Sequence, residues 1–346
     1  MSDRARVLVA GVGGASLGTE IIKALRLADR YAVFACDISP LAFGHYVDGV
    51  EESFVVDAAD YVSSVLDVCL RWEIPVIVAG AEGAMTELNA GAEQIASVGV
   101  TVVGNSPEVV RLCSDKAMLF DCLREIDVVE LPWTAGVASV DEFRAIEDLP
   151  HTCVVKPATG SGGSSFVFLA TSAIEVETYV HLLTSLGRPA VIQEYIPEDE
   201  GEFTIGVLSL PDGSVAGSIA LQRLFHAKLS VLSRSSAGLI SSGYSQGLIA
   251  DFPNLRVQAE RLAVSLGSVG PLNVQARVRN GALIIFEINS RFSASTYLRS
   301  LAGFNEVDAL LGSVLLGEKP DFPPSRAGYY LRSLNEIYVP LEQVKS

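Results

Sequence analysis

The chain has 346 residues, a formal net charge of −16 and 49% apolar content. That length exceeds one ordinary core, so two or three domains are expected, and the acidity argues against a nucleic-acid backbone as partner while leaving room for a local basic pocket. No apolar run approaches the roughly 18 residues that span a bilayer, and the first six residues lead straight into Val7-Leu8-Val9-Ala10 without a signal-peptide pattern, so a cytoplasmic protein with no membrane partner is expected.

Residues 5–106 alternate strand-like and helix-like segments. Strands are expected at 6–10, 32–37, 76–79 and 100–103, and helices at 17–28, 62–72 and 86–97. This alternation predicts a doubly wound parallel sheet with helices on both faces. The first turn, Gly11-Val-Gly-Gly-Ala-Ser-Leu-Gly18, approaches a dinucleotide loop but has Ser16 where a Gly-x-Gly-x-x-Gly needs glycine. With Asp37 at the end of the second strand, nicotinamide binding stays as a minor option beside a simple tight turn. Glu82, in the loop after the 76–79 strand, sits where open α/β sheets bind ligands, although a solvated loop acid fits equally. Five scattered cysteines without a Cys-x-x-Cys and four scattered histidines give neither a disulfide framework nor metal spacing.

A second part runs from 107 to 192. Ser106-Pro107 opens a helix, and Ser114 is expected to cap the next one. Lys116 falls in that helix's first turn, where the dipole disfavours a cation, so it either meets a polyanion or faces solvent. Cys153-Val-Val-Lys-Pro157 reads as a strand with Lys156 near its end. The loop 158–165 carries Gly160, Gly162, Gly163 and four hydroxyls before a strand at 166–169. Such a hairpin can close over phosphates with unshielded backbone N–H groups, or be a flexible tip; it is not a Walker loop.

The third part begins with a buried strand at 191–196, whose exit at Glu194 and Ile196 offers backbone groups to a base edge. Glu202 follows as an acceptor for ribose hydroxyls. Strands 203–210 and 215–222 form a hairpin, residues 223–245 are a long polar segment of the kind that serves a site, and a helix covers 254–266. Arg223, His226 and Lys228 are candidates for contact with substrate.

The stretch from Gly270 to Arg291 then reads as two strands joined at Arg279-Asn280-Gly281, with Gln275 closing the first. Glu287, Asn289 and Arg291 are spaced by two and share one face of an extended chain. A carboxylate and an amide oxygen beside a guanidinium suit Mg²⁺ with a triphosphate, although a polar exposed strand face would read the same way.

Taken together, a basic residue at a helix start, Val-Lys-Pro before a Gly-rich hairpin, Gln-Glu-Tyr-Ile with a downstream Glu, and Asn-Val-Gln…Glu-Ile-Asn-x-Arg resemble the ATP-grasp superfamily, in its carbamoyl-phosphate-synthetase-like branch, over residues 1–320. The resemblance implies an N-terminal Rossmann-like domain (1–106), a small lobe with the phosphate lid (107–192), a large lobe (193–320) and a tail (321–346). It implies a two-lobed fold of antiparallel sheets holding ATP. It places Lys116 and Lys156 on the α- and β-phosphates, Gly160, Gly162 and Gly163 in the lid, Glu194 and Ile196 at adenine and Glu202 at ribose. Glu287 and Asn289 would hold Mg²⁺, or Mn²⁺ as a substitute, with Gln275 nearby. Arg291 would hold an acyl phosphate. Two departures are Gln275, where a second acid is common, and Ser290, where Asn-Pro-Arg has proline.

The chemistry so implied is C–N ligation: a carboxylate takes the γ-phosphate of ATP and an amine displaces phosphate. Lys156 and Arg291 would be catalytic, and Arg299, eight residues on, is a candidate clamp for a substrate carboxylate or else a helix-surface arginine. A bicarbonate-activating or carbamoyl-phosphate-type enzyme and a non-catalytic ATP sensor are the alternatives. Substrates would be a small carboxylate and an amine. The tail would add an edge strand or pack on a neighbouring subunit in a homodimer.

Overall fold

The computed structural model describes residues 4–14, 17–160, 165–226 and 228–345. Five parallel strands open the chain: β1 (Ala5–Ala10), β2 (Tyr31–Asp37), β3 (Glu52–Val55), β4 (Val76–Ala79) and β5 (Thr101–Val103), in the order β3-β2-β1-β4-β5. Helices α1 (Leu17–Ala28), α2 (Tyr61–Arg71), α3 (Glu82–Ala90) and α4 (Ala92–Ser97) alternate with them. Side chains alternate across β1, so Val7 and Val9 face α1 while Leu8 and Ala10 face α2 and α3. This is the doubly wound layer expected from the sequence. The expected 86–97 helix is instead two helices with Gly91 at their junction, whose missing Cβ would meet Val62 at 2.7 Å. Strand β3 had no apolar alternation to announce it.

Gly11 and Gly18, at the two ends of the first turn, serve packing. A Cβ on Gly18 would lie 2.1 Å from the Gly11 carbonyl oxygen. Asp37 accepts from Val12 N at 2.7 Å and Ser39 N at 2.9 Å, so its carboxylate is committed to loop geometry. The nicotinamide option therefore loses the support it drew from Asp37.

Helices α5 (Pro107–Ser114) and α6 (Lys116–Ile126) follow. Asp115, not Ser114, caps α6, accepting from Ala117 N and Met118 N. Both helices pack into the core of the large sheet, so the small lobe's own core starts later than residue 107. That lobe is a four-stranded antiparallel sheet of β6 (Thr134–Val137), β7 (Cys153–Pro157), β8 (Phe168–Ala170) and β9 (Ala190–Glu194), in the order β6-β9-β7-β8. Helices α7 (Val140–Arg144) and α8 (Ala173–Ser185) cover it.

The large sheet contains β10 (Glu202–Ser209), β11 (Val215–Arg223), β14 (Gly247–Ile249), β15 (Pro271–Arg279), β16 (Ala282–Asn289) and β17 (Gly328–Tyr330), in the order β16-β15-β10-β11-β14-β17. Helix α9 (Pro253–Ser265) packs on it, while α10 (Thr296–Leu301) and α11 (Glu306–Leu316) join it to α1. Strand β17 is an edge strand, one of the two roles expected for the tail. The polar 223–245 segment contains a small hairpin of β12 (Val231–Ser235) and β13 (Gly238–Ser241). Asn280 and Gly281 turn between β15 and β16 with φ of +55° and +78°, the left-handed pair that matches the twist of a two-residue hairpin. Gln275 lies in the middle of β15 opposite Glu287, rather than at its end.

Candidate active site

The cleft between the two antiparallel sheets has three contiguous compartments, and Glu287 lines all of them. The first is walled by Val154, Lys156 and the hinge 194–196 on one side, by Gln275, Arg277 and Glu287 on the other, and roofed by Leu239 and Ile240 of β13. At the hinge, Glu194 pairs with Arg279 at 2.9 Å and accepts from Trp133 N at 3.1 Å. Its side chain is thus committed to the fold, and backbone is what the hinge offers a base edge. Ile196 lines the same compartment.

The register shift between Gln275 and Ala276 places Glu287 opposite Gln275 and Ile285 opposite Ala276, leaving Phe286 as the bulged residue. The Phe286 carbonyl accepts from Lys156 Nζ at 2.7 Å, and Gln193 Oε1 accepts at 2.9 Å. Burial pushes the Lys156 ammonium down to about 7; Glu287 pulls it back up and Lys116 adds to the fall. Lys116, also buried, lines the first and second compartments, and its backbone N donates to Ala158 at the mouth of the glycine loop. Gly160 borders the second compartment with φ of +66°, a conformation that side chains resist. Gly162 and Gly163 lie outside the described residues.

Glu202 is almost fully buried between two arginines. Arg277 Nε donates to it at 2.9 Å and Arg223 Nη1 lies 3.2 Å away. Arg277 also donates to the Ile196 carbonyl and, at 2.8 Å, to the Leu239 carbonyl, with its guanidinium 4.7 Å from the Tyr195 ring centroid. It therefore ties hinge, roof and Glu202 together. Sequence reasoning missed Arg277, yet the signal was present: 275, 277 and 279 share a strand face, and Gln275 faces the cleft.

In the second and third compartments Glu287, Asn289 and Arg291 converge as their spacing implied. Gln275 Nε2 donates to Glu287 at 3.0 Å. Arg291 reaches the N-terminal domain, pairing with Glu82 at 2.6 Å, so the structure brings both sequence candidates to one point. Among the described residues no group of three or more His, Cys, Asp or Glu is arranged to hold a metal ion by itself. Glu287 offers a carboxylate and Asn289 an amide oxygen, a small hard donor set that fits Mg²⁺ shared between protein and phosphate oxygens, while the Gln275 NH₂ group faces Glu287.

Arg299 is a correction. It is 1% exposed, lines none of the three compartments, and is neither a substrate clamp nor a helix-surface residue. Its guanidinium donates to Asn273, Thr204 and Glu306 beneath the floor of the third compartment. Arg223 does line that compartment, while His226 and Lys228 are exposed and border none of the three. Arg332 of the tail, unexpected from sequence, pairs with Glu20 at 3.0 Å and donates to the Ala294 carbonyl.

A family model described as ATP-grasp domain matches residues 113–295, more than half of the chain. The chain belongs to the ATP-grasp family. It is 26% identical over 285 residues to the carbamoyl phosphate synthase large chain of Thermotoga neapolitana, covering 80% of this chain and 25% of that relative. The ATP-grasp fold here superposes on an L-amino acid ligase from Bacillus licheniformis with a TM-score of 0.64, at 16% identity, over 90% of this chain and 74% of that one. It also superposes on the biotin carboxylase domain of a Hydrogenobacter thermophilus 2-oxoglutarate carboxylase, crystallised with MgADP and bicarbonate. There the TM-score is 0.69 at 17% identity, over 95% and 74% of the two chains. No helix among the described residues is long and apolar enough to cross a membrane.

Proposed function

We propose that this ATP-grasp protein is an ATP- and Mg²⁺-dependent ligase that joins a small carboxylic acid to an amine, releasing ADP and phosphate. The observation that carries the reading is continuity: Glu287 joins a compartment with buried Lys156 to one with Arg291 and Glu82. Lys116, Lys156 and the Gly160 loop bind the phosphates, the hinge backbone takes adenine, and Glu202 faces ribose. Glu287 and Asn289, with Gln275, would hold Mg²⁺ or Mn²⁺, which when bound would neutralise phosphate charge. A carboxylate oxygen of the acid attacks the γ-phosphorus and ADP leaves. Arg291, exchanging Glu82 for the acyl phosphate, holds it while the amine nitrogen attacks the acyl carbon. The C–O bond to phosphate breaks and the amine loses its proton. The substrates are small molecules, and the protein is cytoplasmic.

Activation of bicarbonate instead of an organic acid is the second reading, favoured by the carbamoyl phosphate synthase and biotin carboxylase likenesses. An ATP sensor would need only the first compartment, so Arg291 and Glu82 in an adjoining cleft argue for turnover. The test is phosphate release from Mg²⁺-ATP against acids, amines and their pairs. Release that requires one acid plus one amine supports the ligase, and release with bicarbonate alone moves the reading to carboxy-phosphate chemistry. No release, with MgADP bound, moves it to the sensor.

A further inference from the structure

Arg299 and Glu306 form a fully buried ion pair, each side chain 1% exposed, directly below the third compartment. Gly206 makes room for it: a Cβ there would lie 2.4 Å from Arg299 Nη1. Arg299 Nη2 donates to Asn273 Oδ1 at 2.5 Å and to Thr204 Oγ1 at 3.2 Å. Thr204 Oγ1 in turn donates to the same Asn273 oxygen at 2.8 Å.

A guanidinium can only donate. It therefore fixes which end of the Asn273 amide faces down: the oxygen meets Arg299 and Thr204, and the NH₂ group is left for the other side. Asn273 lines the third compartment and pairs across the strands with Asn289, beside Glu287 and Arg291. We propose that Arg299 is a positioning residue that turns the Asn273 amide so that its N–H donates to an anionic oxygen at the reacting centre. That oxygen belongs either to the carboxylate being activated or to the phosphoryl group it receives. The inference rests on the ligase reading of the cleft but is tested by binding alone.

Asn273→Asp is the deciding variant. It is nearly isosteric, gives Arg299 a carboxylate in place of an amide oxygen, and turns the upward donor into an acceptor. The probes are inorganic phosphate and acetate, each titrated by calorimetry into the wild type and the variant, with and without MgADP. The wild type should bind at least one probe, and Asn273→Asp should weaken it about 10-fold or more. Loss confined to phosphate assigns the donor to the phosphoryl oxygen, and loss confined to acetate assigns it to the carboxylate. Arg299→Met should reproduce the loss, and Arg299→Lys, which can still donate to Asn273, should restore part of it. A purely structural arginine would lower the stability of Arg299→Met without changing the probe affinity of the folded protein. Equal affinity in wild type and Asn273→Asp, or no binding of either probe by the wild type, overturns the proposal. Failure of MgADP to bind would count separately, against the broader reading.

Discussion

Lys156→Met separates function from stability at one atom. The Lys156 ammonium is wholly buried and its proton is held only to about 7, whereas an unfolded lysine titrates near 10.4. Between pH 7 and 9 the unfolded chain keeps about one proton on this residue, while the folded chain falls from about half a proton to almost none. The unfolded state then binds more protons, so the Lys156 contribution to stability rises with pH across that window, by about 2 kcal/mol on integration. Well below pH 7 both states hold the proton and the burial cost is borne in full. Methionine removes the titration but leaves Gln193 Oε1 and the Phe286 carbonyl without their donor, at about 1–3 kcal/mol each. The two proteins should therefore differ little at pH 7. At pH 9 the wild type should have gained about 2 kcal/mol relative to the variant. Urea denaturation of both at pH 7, 8 and 9 measures this, with shared groups cancelling in the difference. The same lysine should take up about 0.9 proton when MgADP binds at pH 8, seen by calorimetry in buffers of different ionisation enthalpy, and the variant should show no such uptake. A stability difference that stays flat from pH 7 to 9 would mean that Lys156 keeps its proton in the folded chain, and the reasoning from burial would be wrong.

Glu287→Ala should abolish ATP turnover, by about 1,000-fold or more, with an unchanged circular dichroism spectrum; near-normal phosphate release would remove Glu287 from the site. Arg277→Met should leave Glu202 with one arginine and release both the hinge and the roof. MgADP affinity should fall about 10-fold and stability by about 3–5 kcal/mol, checked by calorimetry and urea titration. Gly18→Ala should destabilise the N-terminal domain by more than about 2 kcal/mol, because the new Cβ would collide with the Gly11 carbonyl, and a thermal midpoint equal to wild type would contradict the packing account.

What was legible in the sequence tracks how local the signal is. Period-two spacing brought Glu287, Asn289 and Arg291 to one cleft, and Asn280-Gly281 announced its own turn. Helix α1 and strands β4 and β7 fall at their expected limits because apolar periodicity and flanking breakers agree there. The misses involve information from elsewhere in the chain. Ser114 and Asp115 are both good caps, and only the register of α5, which continues through Ser114, decides between them. Arg299 looked exposed because nothing near it in sequence shows that Gly206, on another strand, opens the space that buries it. Arg277 went unremarked because its partners Glu202, Ile196 and Leu239 lie 75, 81 and 38 residues away in the chain.

The distribution of buried charge carries the functional reading further than any one motif. The chain has a net charge of −16, so cations have acids to meet almost anywhere on its surface. Yet the Lys and Arg residues buried among the described ones are Lys116, Lys156, Arg223, Arg277 and Arg299, and each lines the cleft or supports its floor. Burying a cation costs several kcal/mol unless partners offset it. Arg299 and Arg277 have their acids within the fold. Among the described residues, Lys156 has two hydrogen-bond acceptors, an amide oxygen and a carbonyl, and both are neutral. A fold that needed Lys156 for stability alone would be served as well by methionine, and at pH 7 Lys156 tends to lose its charge instead. An anion entering beside it would restore that charge and gain in affinity from the absence of competing water. Under the proposed function, this arrangement would place the cost in the empty protein and the gain in the phosphate-bound one.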